Sequence, residues 1–121
     1  MIRVLVVDDE PANVLYADLV LRNAGYDVLA AESADEAERL AREMRPVLAL
    51  IDLSLRGSSG TDLVRRLRAN AATRGLRIAL YTATLPNAAL RDFMAMTAIE
   101  HVIPKPSEPS EFLAAVESAL R

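Results

Sequence analysis

Apolar and polar positions along the chain alternate in two registers: short, aliphatic-rich runs, each followed by a stretch of helical spacing, five times over. The strand runs are Arg3 to Asp8, Asp27 to Ala31, Val47 to Asp52, Arg77 to Thr82 and Glu100 to Ile103. The second helical stretch is the clearest. Ser33 and Glu36 have the spacing of a capping box, Ala37, Leu40, Ala41 and Met44 share one face, and Pro46 stops the helix. In the last stretch Pro109 occupies the first turn, where a proline is tolerated, and Phe112, Val116, Ala119 and Leu120 line one side. Five such units, without internal repeats or Pro/Gly-rich linkers, predict an α/β architecture: a doubly wound parallel sheet with helices on both faces.

Composition narrows this picture. At 121 residues the chain has the size of one domain, with no room for a second catalytic module. Apolar residues make up 52% but aromatics only 4%, so Val, Leu, Ile and Ala must build the core. The absence of cysteine excludes disulfides and thiolate metal sites, and a reducing cytoplasm is the default location. No stretch has the length of a membrane span, and MIRVLVV enters the first strand without a cleavage signal.

The formal net charge of -3 is unevenly spread: residues 1–60 carry 6 Arg against 11 acids, and residues 61–121 carry 8 basic groups against 6 acids. Arg65, Arg66, Arg68, Arg74 and Arg77 form the basic concentration, with no interleaved aromatics to stack on bases. They read as a solvated helix face, not as a nucleic-acid surface.

In a doubly wound sheet, ligands bind beyond the C-terminal ends of the strands, so the residues there are the candidates for chemistry. The first strand ends in Asp8 and Asp9, the third in Asp52, the fourth in Thr82, and Lys105-Pro106 follows the fifth. Parallel pairing brings these positions to one edge although they are distant in sequence. Three adjacent carboxylates repel one another unless a cation or protons intervene, and oxygen-only ligands select a hard cation, here Mg²⁺. A magnesium ion held by two or three carboxylates keeps open positions that suit a phosphoryl group.

Pro11, Ala12 and Asn13 follow the first acids in place of a glycine-rich loop, which removes P-loop and dinucleotide-binding readings. No Ser-His-Asp arrangement is available and His101 stands alone, so the nucleophile is expected to be a carboxylate, with Asp52 the best placed. Lys105, the one lysine beside 13 arginines, suits a compact point-charge partner for carboxylate and phosphoryl oxygens. The Lys105-Pro106 bond is a candidate for the cis form, and the Thr82 hydroxyl is a candidate donor to a phosphoryl group.

These residues closely resemble those of the receiver domain of two-component response regulators, over residues 1–121. Asp8 and Asp9, Asp52, Gly60 eight residues beyond it, Thr82 and Lys105-Pro106 all stand where that family has them. The resemblance implies a flavodoxin-like (βα)5 fold with strand order 2-1-3-4-5, and phosphoryl transfer to Asp52 from a sensor histidine kinase or histidine phosphotransfer protein. It implies that Asp9 binds Mg²⁺ directly, Asp8 through water, and the backbone carbonyl of Ser54 completes the protein ligands. Thr82, Ala83 and Lys105 would contact the phosphoryl group. The output surface toward a downstream protein or domain would be the face formed by the fourth helix, fifth strand and fifth helix, and a homodimer is a further candidate partner state.

The sequence departs from the family pattern in several places. Val102 stands where many receivers have a switching aromatic, and Arg56 where a proline is common. Ser54 and Thr84 occupy positions that tune dephosphorylation, and the segment between strands four and five lacks its usual glycine, predicting a displaced or irregular fourth helix. The leading expectation is a cytoplasmic, phosphorylation-dependent switch, either free-standing or part of a longer protein. A Mg²⁺-dependent phosphohydrolase with an aspartyl-phosphate intermediate and a phosphorylation-independent scaffold remain the alternatives.

Overall fold

The computed structural model describes residues 1–55, 57–83 and 86–121. Five strands, β1 (Arg3–Val7), β2 (Asp27–Ala31), β3 (Leu48–Ile51), β4 (Arg77–Thr82) and β5 (His101–Pro104), form a sheet in the order β2-β1-β3-β4-β5. Every pairing is parallel. The helices are α1 (Pro11–Asn23), α2 (Ala34–Met44), α3 (Gly60–Ala69), α4 (Ala88–Met96) and α5 (Pro109–Leu120). A two-residue antiparallel ladder, Ser54–Leu55 against Ser58–Ser59, lies between β3 and α3. This is the doubly wound architecture that the alternating pattern predicted.

Strand side chains point alternately to the two faces, and each face has its own apolar layer. Leu5, Val7, Ala49, Ile51 and Leu80 face α2, α3 and α4, whose contributions include Ala37, Leu63, Leu67 and Leu90. Val4, Val6, Leu48, Leu50 and Tyr81 face α1 and α5, through Leu21, Phe112 and Val116. Burial on both faces explains why β1 and β3 read as continuous aliphatic runs instead of an alternating pattern.

Ladder pairing stops one residue short of the acids: β1 ends at Val7 and β3 at Ile51. The amides of Asp8 and Asp52 still donate across the sheet, to Ala31 O (3.1 Å) and Val7 O (3.0 Å). These backbone bonds carry the carboxylates beyond the sheet edge on fixed main chain.

The predicted cap of α2 is present with a shift. The Glu36 amide donates to Ser33 Oγ at 3.2 Å, while the Glu36 carboxylate accepts from the Glu32 amide at 3.0 Å, one residue earlier than a standard capping box. Met44, expected on the buried stripe, is 37% exposed. The Arg3 guanidinium donates to the Met44 carbonyl at 2.7 Å, tying the last turn of α2 to the start of β1.

Two other expectations are corrected. Arg68 is not part of a solvated face: it is half-buried and donates to the carbonyls of Thr97 (2.7 Å), Arg74 (2.9 Å) and Leu76 (2.6 Å), tying α3 to the loop before β4 and to the end of α4. Burial holds its pKa below the ordinary arginine value. Arg65 lies over the Phe93 ring at 5.1 Å, and Arg66 pairs with Asp35 and Glu38. Of the fourth helix, expected to be displaced or irregular, the irregularity is corrected: it runs regularly from Ala88 to Met96 with Asn87 as its N-cap, its side chain accepting from the Leu90 amide at 2.8 Å. Just beyond this helix Ala98 adopts φ 57°, a left-handed backbone that favours glycine.

Candidate functional site

The C-terminal edge of the sheet brings the predicted residues together. Asp8, Asp9 and Asp52 present carboxylate oxygens that all lie within 4.8 Å of one another. Asp8 is fully buried, and Asp9 and Asp52 are half-buried. Local backbone orients two of them: Asp8 Oδ1 accepts from the Glu10 amide at 2.9 Å and Asp52 Oδ1 from the Ser54 amide at 3.2 Å. Each acid thereby turns one oxygen into its own loop and leaves the other for the centre of the site.

Lys105 fills part of that centre. Its Nζ donates to Asp8 Oδ2 and, at 3.1 Å, to Asp52 Oδ2. The Lys105 amide donates to Thr82 O at 3.1 Å, which fixes the β5–α5 turn against the end of β4. The Lys105-Pro106 bond is cis. Thr82 is 3% exposed, whereas Ala83 is exposed. Ser54 is exposed in the short ladder beyond Asp52.

Among the described residues, the Lys105 ammonium meets two of these three carboxylates, Asp8 and Asp52. Oxygen donors at this spacing suit a small hard cation, because Mg²⁺ takes its ligands at about 2.0–2.1 Å and opposite ligands then lie about 4 Å apart. The donor set therefore fits Mg²⁺.

Gly60 has a direct steric role. A Cβ built there would lie 2.0 Å from the Asp52 carbonyl oxygen and 2.8 Å from Leu53 Cα, and the Gly60 amide donates to Leu53 O at 2.8 Å. The start of α3 packs so closely behind Asp52 that no side chain fits. Val102 is half-buried and packs against the core layer shared by Leu80 and Leu90. Arg56 and Thr84, singled out in the sequence, lie outside the described residues.

Sequence reasoning missed the aromatic groups beside the acids. A cleft of about 450 Å³ opens next to Lys105, lined among others by Asn13, Tyr16, Tyr81 and Ser107. Tyr81 is 3% exposed and lies with its ring under Lys105 Nζ, 4.8 Å from centroid to nitrogen. Burial, reinforced by the charges of nearby acids, pushes its phenol up to about 12. Tyr16 Oη donates to Ser107 O at 2.6 Å. Burial and the charges of Glu108 and Glu111 raise the Tyr16 phenol above its ordinary value. The available signal was scarcity: with five aromatic residues in the chain, a tyrosine immediately before Thr82 is a position to inspect.

The sequence profile of the response regulator receiver domain family matches residues 4–117. The DNA-binding response regulator MtrA of Mycolicibacterium smegmatis is 36% identical over 119 residues, covering 98% of this chain and 50% of that protein. A solved structure of a response regulator from Chloroflexus aurantiacus superposes with TM-score 0.86 at 30% identity, covering 98% of this chain and 96% of that one. The chemotaxis protein CheY4 of Vibrio cholerae, 22% identical, shares the fold with TM-score 0.92 over 99% of both chains. The chain belongs to the response regulator receiver domain family of two-component signalling. Receiver domains are signalling domains, and this chain spans about half the length of the curated relatives it matches first. Among the described residues, no helix is long and apolar enough to cross a membrane.

Proposed function

We propose that this chain is a phosphorylation-dependent switch in which Asp52 accepts a phosphoryl group from a phosphohistidine on a sensor kinase or phosphotransfer protein. A carboxylate oxygen of Asp52 forms the new P–O bond as the donor's P–N bond breaks, and the electron pair of that bond stays on the leaving imidazole nitrogen. The observation that carries this reading is the meeting of Asp8, Asp9, Asp52 and Lys105 at one strand edge, where Asp52 contacts the lysine and is partly open to solvent.

Asp8, Asp9, Asp52 and the backbone carbonyl of Ser54 are the proposed protein side of a Mg²⁺ site. When bound there, Mg²⁺ supplies positive charge to the phosphoryl oxygens as the bond to Asp52 forms. Lys105 supplies a second positive charge, moving its hydrogen bond from the Asp52 carboxylate to the phosphoryl oxygens. Thr82 and the backbone at Ala83 supply neutral donors to the same oxygens. The added charge then biases the surface of α4, β5 and α5 between two arrangements read by a downstream protein or domain. MtrA is a DNA-binding regulator; here any DNA contact belongs to an attached or separate output module.

Incubation with a small acyl phosphate, with and without Mg²⁺, followed by intact mass, tests this. One phosphoryl group is expected, lost with a chelator and in Asp52→Asn. Labelling that persists in Asp52→Asn overturns the assignment, and sustained turnover of unrelated phosphoesters would make the protein a phosphohydrolase.

A further inference from the structure

Three of the five aromatic residues form one column that ends at the lysine. Tyr16 on α1 meets Phe112 on α5 edge-on, with centroids 5.8 Å apart. Phe112 meets Tyr81 on β4 at 5.3 Å, and Lys105 Nζ lies over the Tyr81 ring at 4.8 Å. The column is anchored at its far end, where Tyr16 Oη holds the Ser107 carbonyl two residues beyond Lys105. The ammonium thus meets two carboxylates and the face of a ring.

We propose that Tyr81 is a positioning residue for Lys105: its ring face holds the ammonium between Asp8 and Asp52 so that it meets a phosphoryl group arriving at Asp52. This rests on the phosphoacceptor reading for its consequence, but the geometry stands by itself. Four rotatable bonds separate Nζ from the backbone, and the carboxylates alone draw the ammonium toward the fully buried Asp8. A ring quadrupole attracts a cation without neutralising it, leaving its charge for the incoming oxygens. The buried side chains that precede it on β4, Ile78, Ala79 and Leu80, are aliphatic, so burial by itself does not demand a ring at position 81. Phe112 fixes the ring and Tyr16 fixes the turn, which makes the placement independent of solvent-exposed groups.

The chain's single lysine makes the test direct, because isotope-labelled lysine reports on Lys105 alone. Expected are Lys105 ε-methylene protons shifted upfield by the ring in the wild type and in Tyr81→Phe, and relaxed to their ordinary position in Tyr81→Leu. With a small acyl phosphate as donor, the maximal labelling rate of Tyr81→Leu should fall about tenfold while that of Tyr81→Phe stays within about twofold of the wild type. The Mg²⁺ concentration for half-maximal rate should not move, which separates positioning from general loosening of the acid cluster. An unshifted wild-type lysine overturns the proposal, as does a wild-type rate in Tyr81→Leu or an equal loss in Tyr81→Phe. If Tyr81→Leu does not fold, the resonance in the wild type and Tyr81→Phe decides. If the wild type is not labelled at all, the phosphoacceptor reading falls while the resonance still decides where the lysine is held.

Discussion

Lys105 bridges two carboxylates in unlike surroundings: its Nζ sits 3.1 Å from Asp52 Oδ2, on a side chain 14% exposed, and also bonds Asp8, whose side chain has no exposure. The ammonium neutralises a group that solvent cannot reach and touches one that solvent can. That asymmetry gives the two acids different work, Asp8 holding the lysine and Asp52 remaining approachable.

Removing the lysine leaves Asp8 buried beside two like charges. Lys105→Met should destabilise the protein by about 3 kcal/mol in the presence of a chelator, the usual scale for breaking a buried ion pair from one side. Urea unfolding measures this. Mg²⁺ should restore more stability to the variant than to the wild type, since the cation then supplies the positive charge that Asp8 and Asp52 lost with the lysine. Equal Mg²⁺ effects in both would argue that the metal does not share the lysine's carboxylates.

Gly60→Ala should cost about 1–3 kcal/mol, because the new Cβ cannot coexist with the Asp52 carbonyl at 2.0 Å and either α3 or Asp52 must shift. The same shift should slow labelling of Asp52 more than it lowers the unfolding midpoint. A variant with wild-type stability and labelling rate would show that the helix start yields freely.

Ala98→Gly should stabilise the fold. A left-handed alanine costs about 1–2 kcal/mol relative to glycine, part of which is offset by the greater freedom of glycine in the unfolded chain. The net gain expected is about 0.5–1 kcal/mol, seen as a higher urea midpoint at unchanged slope. A lower midpoint would mean that the Ala98 side chain makes contacts worth more than its backbone strain.

Tyr81 should make the protein lose stability in alkali. Its phenol is pushed up to about 12 from an ordinary value of 10.0, so between these limits the folded chain keeps a proton that the unfolded chain has lost. The contribution is complete below pH 10 and disappears as pH rises through the folded value, a loss of about 2–3 kcal/mol. Urea unfolding of the wild type and Tyr81→Phe from pH 9 to 12, taken as a difference, isolates this group. Parallel pH profiles would refute it.

Much of the site was legible because of what parallel pairing imposes. Once Arg3–Val7, Leu48–Ile51 and Arg77–Thr82 are recognised as strands, the residues that follow them must share one edge, whatever the loops do. Asp8, Asp52 and Thr82 could therefore be grouped from periodicity alone, and Lys105 joined them from the end of β5.

The sequence by itself determined which elements form, which of their faces are apolar, and which ionisable groups gather at the strand ends, because these follow from local periodicity and from where each run stops. Tertiary structure alone decided who meets whom across elements. Arg68 reaches three carbonyls on two different segments, Met44 stays 37% exposed on a helix whose stripe is otherwise turned inward, and Tyr81 turns its ring under Lys105. Such contacts depend on the relative heights and rotations of helices against the sheet, which the packing of both core layers sets together and no single segment encodes.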